Sequence, residues 1–82
     1  MIKFTFIVRD KMGLCARPAG LLVKEVVKCS SKVSLRKGEK TGDGRRILDV
    51  MLLAAKNGEE VEVTVEGEKE KQDVAALEAF LK

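Results

Sequence analysis

Apolar and polar residues alternate from Ile2 to Val8, with Ile2, Phe4, Phe6 and Val8 on one side of an extended chain and Lys3 and Thr5 among those on the other. That period of two is the signature of a strand with one buried face. After Gly13 the period changes: Ala19, Leu22, Val23, Val26 and Val27 recur at three- and four-residue spacing with Lys24, Glu25 and Lys28 between them. This predicts an amphipathic helix from about Ala16 to Cys29. Ser30 and Ser31 end it. Val33 and Leu35 then alternate with Lys32, Ser34 and Arg36, Lys37-Gly38-Glu39 supplies a turn, and a short strand returns through Lys40 to Gly42.

Asp43-Gly44 is a loop signal. Ile47, Leu48, Met51, Leu52 and Ala55 carry helical spacing until Asn57-Gly58 stops them. Val61, Val63 and Val65 alternate with glutamates and a threonine, Gly67 closes that strand, and Val74, Leu77 and Leu81 form one stripe of a last helix from Glu70 to Leu81. The order is β-α-β-β-α-β-α. All four strands read as having one apolar and one polar face, so the helices are expected to cover the same side of the sheet. The expected class is therefore α+β, an open-faced β-sandwich with a split β-α-β arrangement.

Length and composition narrow the function classes. Eighty-two residues make a single domain spanning 1–82, with 45% hydrophobic and 35% charged residues as in a soluble globular protein. The net charge of +3 is spread among both signs rather than gathered on one face, which argues against nucleic acid. Phe4 and Phe6 could stack bases only if they faced outward, and the strands beside them offer no aromatic partner. The start of the chain lacks a basic leader and a small-residue cleavage site, and no apolar run approaches a membrane span, so the expected location is the cytoplasm. Two cysteines without CxxC spacing, and no histidine, suit neither a disulfide framework nor a metal centre. No cofactor is implied.

Chemistry concentrates at GLCARPAG, residues 13 to 20. Cys15 precedes a helix whose first amides have no intrahelical acceptor and whose dipole favours an anion. Arg17 lies two residues on, and Pro18 suits a first turn because it has no N–H to leave unpaired. Helix starts and neighbouring cations favour the thiolate of a cysteine, and the same groups would stabilise a phosphate. The alternative is that Cys15 is a small loop residue. Cys29, one heptad beyond Leu22, reads as core; fourteen residues of helix would separate the two sulfurs by roughly 20 Å, too far for a disulfide. Arg45 and Arg46 open the second helix, where positive charge is mildly unfavourable, beside more apolar residues than one face can bury. An exposed apolar patch edged by arginine suits a protein–protein contact.

The stretch GLCARPAG resembles the active-site motif of the HPr family, the histidine-containing phosphocarriers of the bacterial phosphoenolpyruvate-dependent sugar phosphotransferase system, in which the motif reads G-[LI]-H-A-R-P-A. The resemblance spans the whole chain, since the element order and the place of Gly67 also match. It implies a four-stranded antiparallel sheet with three helices on one face. It also implies a phosphoryl group taken from enzyme I and passed to enzyme IIA-type partners by the residue at position 15, held by Cys15, Ala16 and Arg17. Gly20, Arg46, Ile47, Leu48 and Met51 fall on the family's partner-docking surface. Cys15 stands where the family has its histidine, and Arg46 where many members have a regulatory serine. Three functions follow from the resemblance and the thiol: a carrier using phosphocysteine, a monomeric regulatory module that engages phosphotransferase partners or a transcription regulator without turnover, and a redox-sensitive thiol protein.

Overall fold

The computed structural model describes residues 1–81. Strand β1 (Ile2–Ile7) is followed by helix α1 (Ala16–Val27), strands β2 (Lys32–Lys37) and β3 (Lys40–Asp43), helix α2 (Ile47–Leu52), strand β4 (Glu60–Glu66) and helix α3 (Glu70–Leu81). The four strands form one sheet in the order β1-β4-β2-β3, and every neighbouring pair is antiparallel. Phe4 stands opposite Val63 and Leu35 opposite the same Val63 from the other side, so the three alternating runs share one inner face. Val33, Leu35, Val61, Val63 and Val65 are buried there, and Phe4 and Phe6 pack against them. The two aromatic rings therefore belong to the core face, which removes them from any base-stacking role.

All three helices lie on that face. Ala19, Leu22 and Val26 of α1, Val50 of α2, and Val74 and Leu77 of α3 are buried. Each fully buried valine or leucine contributes on the order of 1.5–3 kcal/mol, so these side chains supply the main force holding the layers together. The outer face of the sheet is left polar, with Lys3, Thr5, Lys32 and Arg36 exposed.

Three elements depart from the periodicity. Helix α1 ends at Val27 and not at Cys29, because the Lys28 and Cys29 amides bond back to Glu25 and Val26 in a tightened turn. Cys29 is nevertheless buried. Strand β3 has no apolar face at all: it is an edge strand paired only with β2. Gly42 lies so close beneath α2 that a Cβ there would stand 3.0 Å from both the Cβ and the carbonyl oxygen of Asp49, leaving no room for a side chain. Finally, α2 stops at Leu52, although the apolar pattern continues through Leu53 to Ala55, both buried. The Leu53 and Ala54 amides bond to the Val50 and Met51 carbonyls, and Ala54 turns the chain with a φ of 52°. Burial at 53 and 55 thus continues after the helix has ended.

A left-handed residue just past a helix is ordinarily glycine, because a Cβ is strained there. Ala54 is exposed, so nothing else depends on its methyl group. Ala54→Gly is expected to stabilise the protein by about 0.5–1 kcal/mol. Thermal and urea melts measure it; an unchanged or lowered midpoint would contradict the strain argument.

Candidate functional site

The site is built where β1 runs into α1. Asp10 begins a tight turn: its carbonyl accepts the Gly13 amide at 3.0 Å and its carboxylate accepts the Met12 amide at 2.9 Å. Gly13 has a φ of 80°, and a Cβ there would lie 2.5 Å from the Ala55 carbonyl oxygen, so only glycine lets the two loops approach. The Leu14 amide then donates to that same oxygen at 2.8 Å. Leu14 is buried, and Cys15 emerges beside it as the N-cap residue of α1 in extended conformation. Ala16 follows with a φ of 46°, a left-handed conformation that costs an alanine on the order of 1 kcal/mol.

Cys15 is half-buried and does not cap the helix with its side chain. Its sulfur donates instead to the Met12 carbonyl oxygen at 3.2 Å, so the thiol proton is committed to the preceding turn. The early amides of α1 have no intrahelical acceptor, and the first turn carries no acidic side chain to compete for them. Pro18 is third in the helix, inside that first turn, and Arg17 is exposed next to it. A groove of about 770 Å³ opens beside these residues, lined by Cys15, Arg17 and Leu21 on one side and by Phe6 and Phe80 on the other. Here a thiol, a guanidinium and unpaired amides converge on one surface, a set suited to a small anion.

The second part of the site lies on α2. Ile47, Leu48, Met51 and Leu52 are exposed, Leu48 by 67% and Leu52 by 73%, while Val50 and Leu53 turn inward. The helix therefore divides its apolar residues between core and solvent. Gly20 of α1 faces it, with space for a Cβ 3.6 Å from the Ile47 side chain, so α1 and α2 meet closely at this point. Arg46 projects outward and reaches Asp49 only at 4.0 Å. Arg45 behaves differently from the solvent-facing corner its position suggests. Its guanidinium donates to the Cys29 and Ser31 carbonyls at 2.7 and 3.1 Å, bracing the turn between α1 and β2.

Several contributors were not visible in the sequence motif. The Met12 carbonyl is a backbone group, so its identity carries no signal. Asn57 reads in sequence as a helix stop, yet its amide reaches back to the loop that carries Cys15. Among the described residues no three His, Cys, Asp or Glu side chains are grouped to hold a metal ion, and no helix is long and apolar enough to cross a membrane.

The fold is that of a small open-faced β-sandwich, and the comparisons with known proteins place it among the phosphocarriers. A family profile described as the PTS HPr component phosphorylation site matches residues 2–82. The phosphocarrier protein HPr of Mycoplasma capricolum is 40% identical over 77 residues, which cover 94% of this chain and 86% of that protein. The HPr-like protein Crh of Bacillus subtilis is 39% identical over 74 residues, 90% of this chain and 87% of its own. A solved Mycoplasma structure, described as the histidine-containing phosphocarrier protein, superposes with a TM-score of 0.88 at 38% identity, covering 95% of this chain and 89% of that one. The chain belongs to the HPr family and is an HPr-like, phosphocarrier-type protein of the phosphotransferase system. In contrast to the histidine-containing relative, it has no histidine anywhere.

Proposed function

We propose that this chain is a cytoplasmic docking protein of the phosphotransferase system, which engages the partners of HPr through Gly20, Arg46, Ile47, Leu48 and Met51 while its thiol turns over phosphate poorly. The observations that carry the reading are a solvent-facing apolar patch on α2 and a Cys15 whose thiol is hydrogen-bonded to its own loop. The patch supplies what a partner needs to bind. The sulfur sits closer to the backbone than the ring nitrogen of a histidine would, and its thiol is hydrogen-bonded to the Met12 carbonyl. Occupying an enzyme I or enzyme IIA-type partner without turnover is a regulatory act, and the likeness to Crh as well as to HPr is in keeping with it.

Binding tests this separately from chemistry. Labelled protein titrated with enzyme I is expected to bind, and Leu48→Asp, which puts a charge into the exposed apolar patch of α2, is expected to weaken binding by at least about tenfold. Absence of binding by the natural protein to both enzyme I and an enzyme IIA, or indifference to Leu48→Asp, would overturn the proposal.

A further inference from the structure

The loop that delivers Cys15 has no helix or strand of its own between Val8 and Cys15. What fixes it comes from the other end of the chain, the loop between α2 and β4. Gly58 donates its amide to the Val8 carbonyl at 2.8 Å, and Leu14 donates to the Ala55 carbonyl at 2.8 Å. These are backbone contacts, open to almost any side chain. Asn57 supplies a side-chain contact: its Nδ2 donates to the Arg9 carbonyl at 3.0 Å and to the Asp10 carbonyl at 3.2 Å. One amide group thus grips two successive carbonyls at the start of the turn that ends at Met12 and Gly13.

We propose that Asn57 is the positioning residue of the Cys15 centre, holding the Arg9 and Asp10 carbonyls so that the turn presents the Met12 carbonyl to the Cys15 sulfur. This rests on the reading that Cys15 is the working group of the site. The chain of contacts is short. Asn57 fixes Asp10, Asp10 closes the turn through the Gly13 and Met12 amides, and the Met12 carbonyl accepts the thiol proton at 3.2 Å. Asn57 itself is exposed, so the core does not depend on it. Its loss should therefore alter the sulfur before it alters the fold.

Ala54 and Glu59, on the same loop, are tied to β2 through Lys37, which donates to the Ala54 carbonyl and pairs with Glu59, both at 3.1 Å. The support on which Asn57 stands is thereby anchored to the sheet, and it begins where the docking helix α2 ends. Neither anchor involves Cys15.

The test is alkylation of the intact protein with iodoacetamide across pH 6 to 10, each cysteine followed by peptide mass mapping, in the natural protein and in Asn57→Ala and Asn57→Asp. The aspartate variant keeps the shape and loses both donors. In Asn57→Ala the Cys15 rate at neutral pH is expected to rise by about fivefold, the equivalent of one lost hydrogen bond, and in Asn57→Asp, whose added negative charge opposes the thiolate, by less. Buried Cys29 serves as the internal reporter of opening, and its rate should stay unchanged. Equal acceleration of both cysteines would make Asn57 a merely structural residue, and an unchanged Cys15 rate and profile would leave it with no role at the thiol; either result overturns the inference. No partner is present in this experiment, so its outcome is independent of whether enzyme I binds.

Discussion

Incubated with enzyme I and phosphoenolpyruvate, a Cys15→His variant is expected to take up phosphate at least about 10²-fold faster than the natural protein. In a transfer to sulfur, the phosphorus–nitrogen bond of the donor breaks, a phosphorus–sulfur bond forms, and the thiol proton passes to the donor imidazole. Two features of the site oppose this. The sulfur is bonded directly to Cβ and stands short of where an imidazole nitrogen would reach, and a misplacement of ~1 Å at the reacting atom costs roughly 10²-fold in rate. Its proton is also held by the Met12 carbonyl, a contact that has to break before attack. A histidine at the same position carries its ring nitrogens farther from the backbone than the sulfur reaches, with the first-turn amides of α1 still in place. Binding of enzyme I is expected to be unchanged, because Leu48, Met51 and Arg46 are untouched. Rapid labelling of the natural protein, abolished by Cys15→Ser, would make it a true phosphocysteine carrier and overturn the expectation. A Cys15→His variant that binds enzyme I but takes no label would instead locate the defect in the surrounding pocket.

What could be read from the sequence was the part governed by local period. The alternations of β1 and β4 and the stripes of α1 and α3 each bury a continuous face, so period, element and layer coincide. The layers follow from the element order, whereas the strand order β1-β4-β2-β3 is set by pairing between distant strands, which local period does not carry. Legibility failed where tertiary contact replaces periodicity. Strand β3 has nothing apolar to alternate, being pressed beneath Asp49 through a glycine. Ala55 is buried by a loop and not by the helix its spacing suggests. Arg45 has the sequence context of a surface charge, yet its carbonyl partners at 29 and 31 are brought to it only by the packing of β2 against β3. The candidate site divides the same way. Cys15, Arg17 and the α2 patch are local and could be named in advance, whereas the Met12 carbonyl and Asn57 act across a turn and across the chain. Asp73 is the largest such omission, a charged residue in the first turn of α3 that is buried together with Val74 and Leu77.

Asp73 is only 8% exposed and accepts both the backbone amide of Ser31, at 3.0 Å, and its hydroxyl, at 2.5 Å. It joins the first turn of α3 to the start of β2, at the turn that Arg45 braces from the other side. The Ser31 hydroxyl bond is the main reason its carboxyl titrates below the ordinary 3.8, and the Ser31 and Ser30 amides add to the effect against the opposing cost of burial. A carboxyl depressed in the folded protein takes up its proton first in the unfolded chain. Its contribution to stability is therefore fully present above about pH 5 and is lost as the pH falls through 3.8 and below the folded value. Glu70, held by the chain's terminal ammonium and the Gly67 amide, is lowered in the same sense and adds to the acid limb from a half-buried position. Removing the Asp73 carboxylate is costlier than protonating it, since the buried Ser31 amide and hydroxyl are then left without their acceptor. Asp73→Ala is expected to destabilise the protein by about 2–4 kcal/mol at pH 7, a large share of the roughly 5–15 kcal/mol typical of a folded domain. The same variant frees Cys29, whose thiol is pushed up by burial and then by the Asp73 charge, to react in the opened state. Urea denaturation at pH 7 and at pH 3.5 reads both effects: the natural protein should lose stability between the two values, and Asp73→Ala should lose distinctly less. A variant with the full acid dependence of the natural protein would show that the carboxylate bridging α3 to β2 is not the group that titrates.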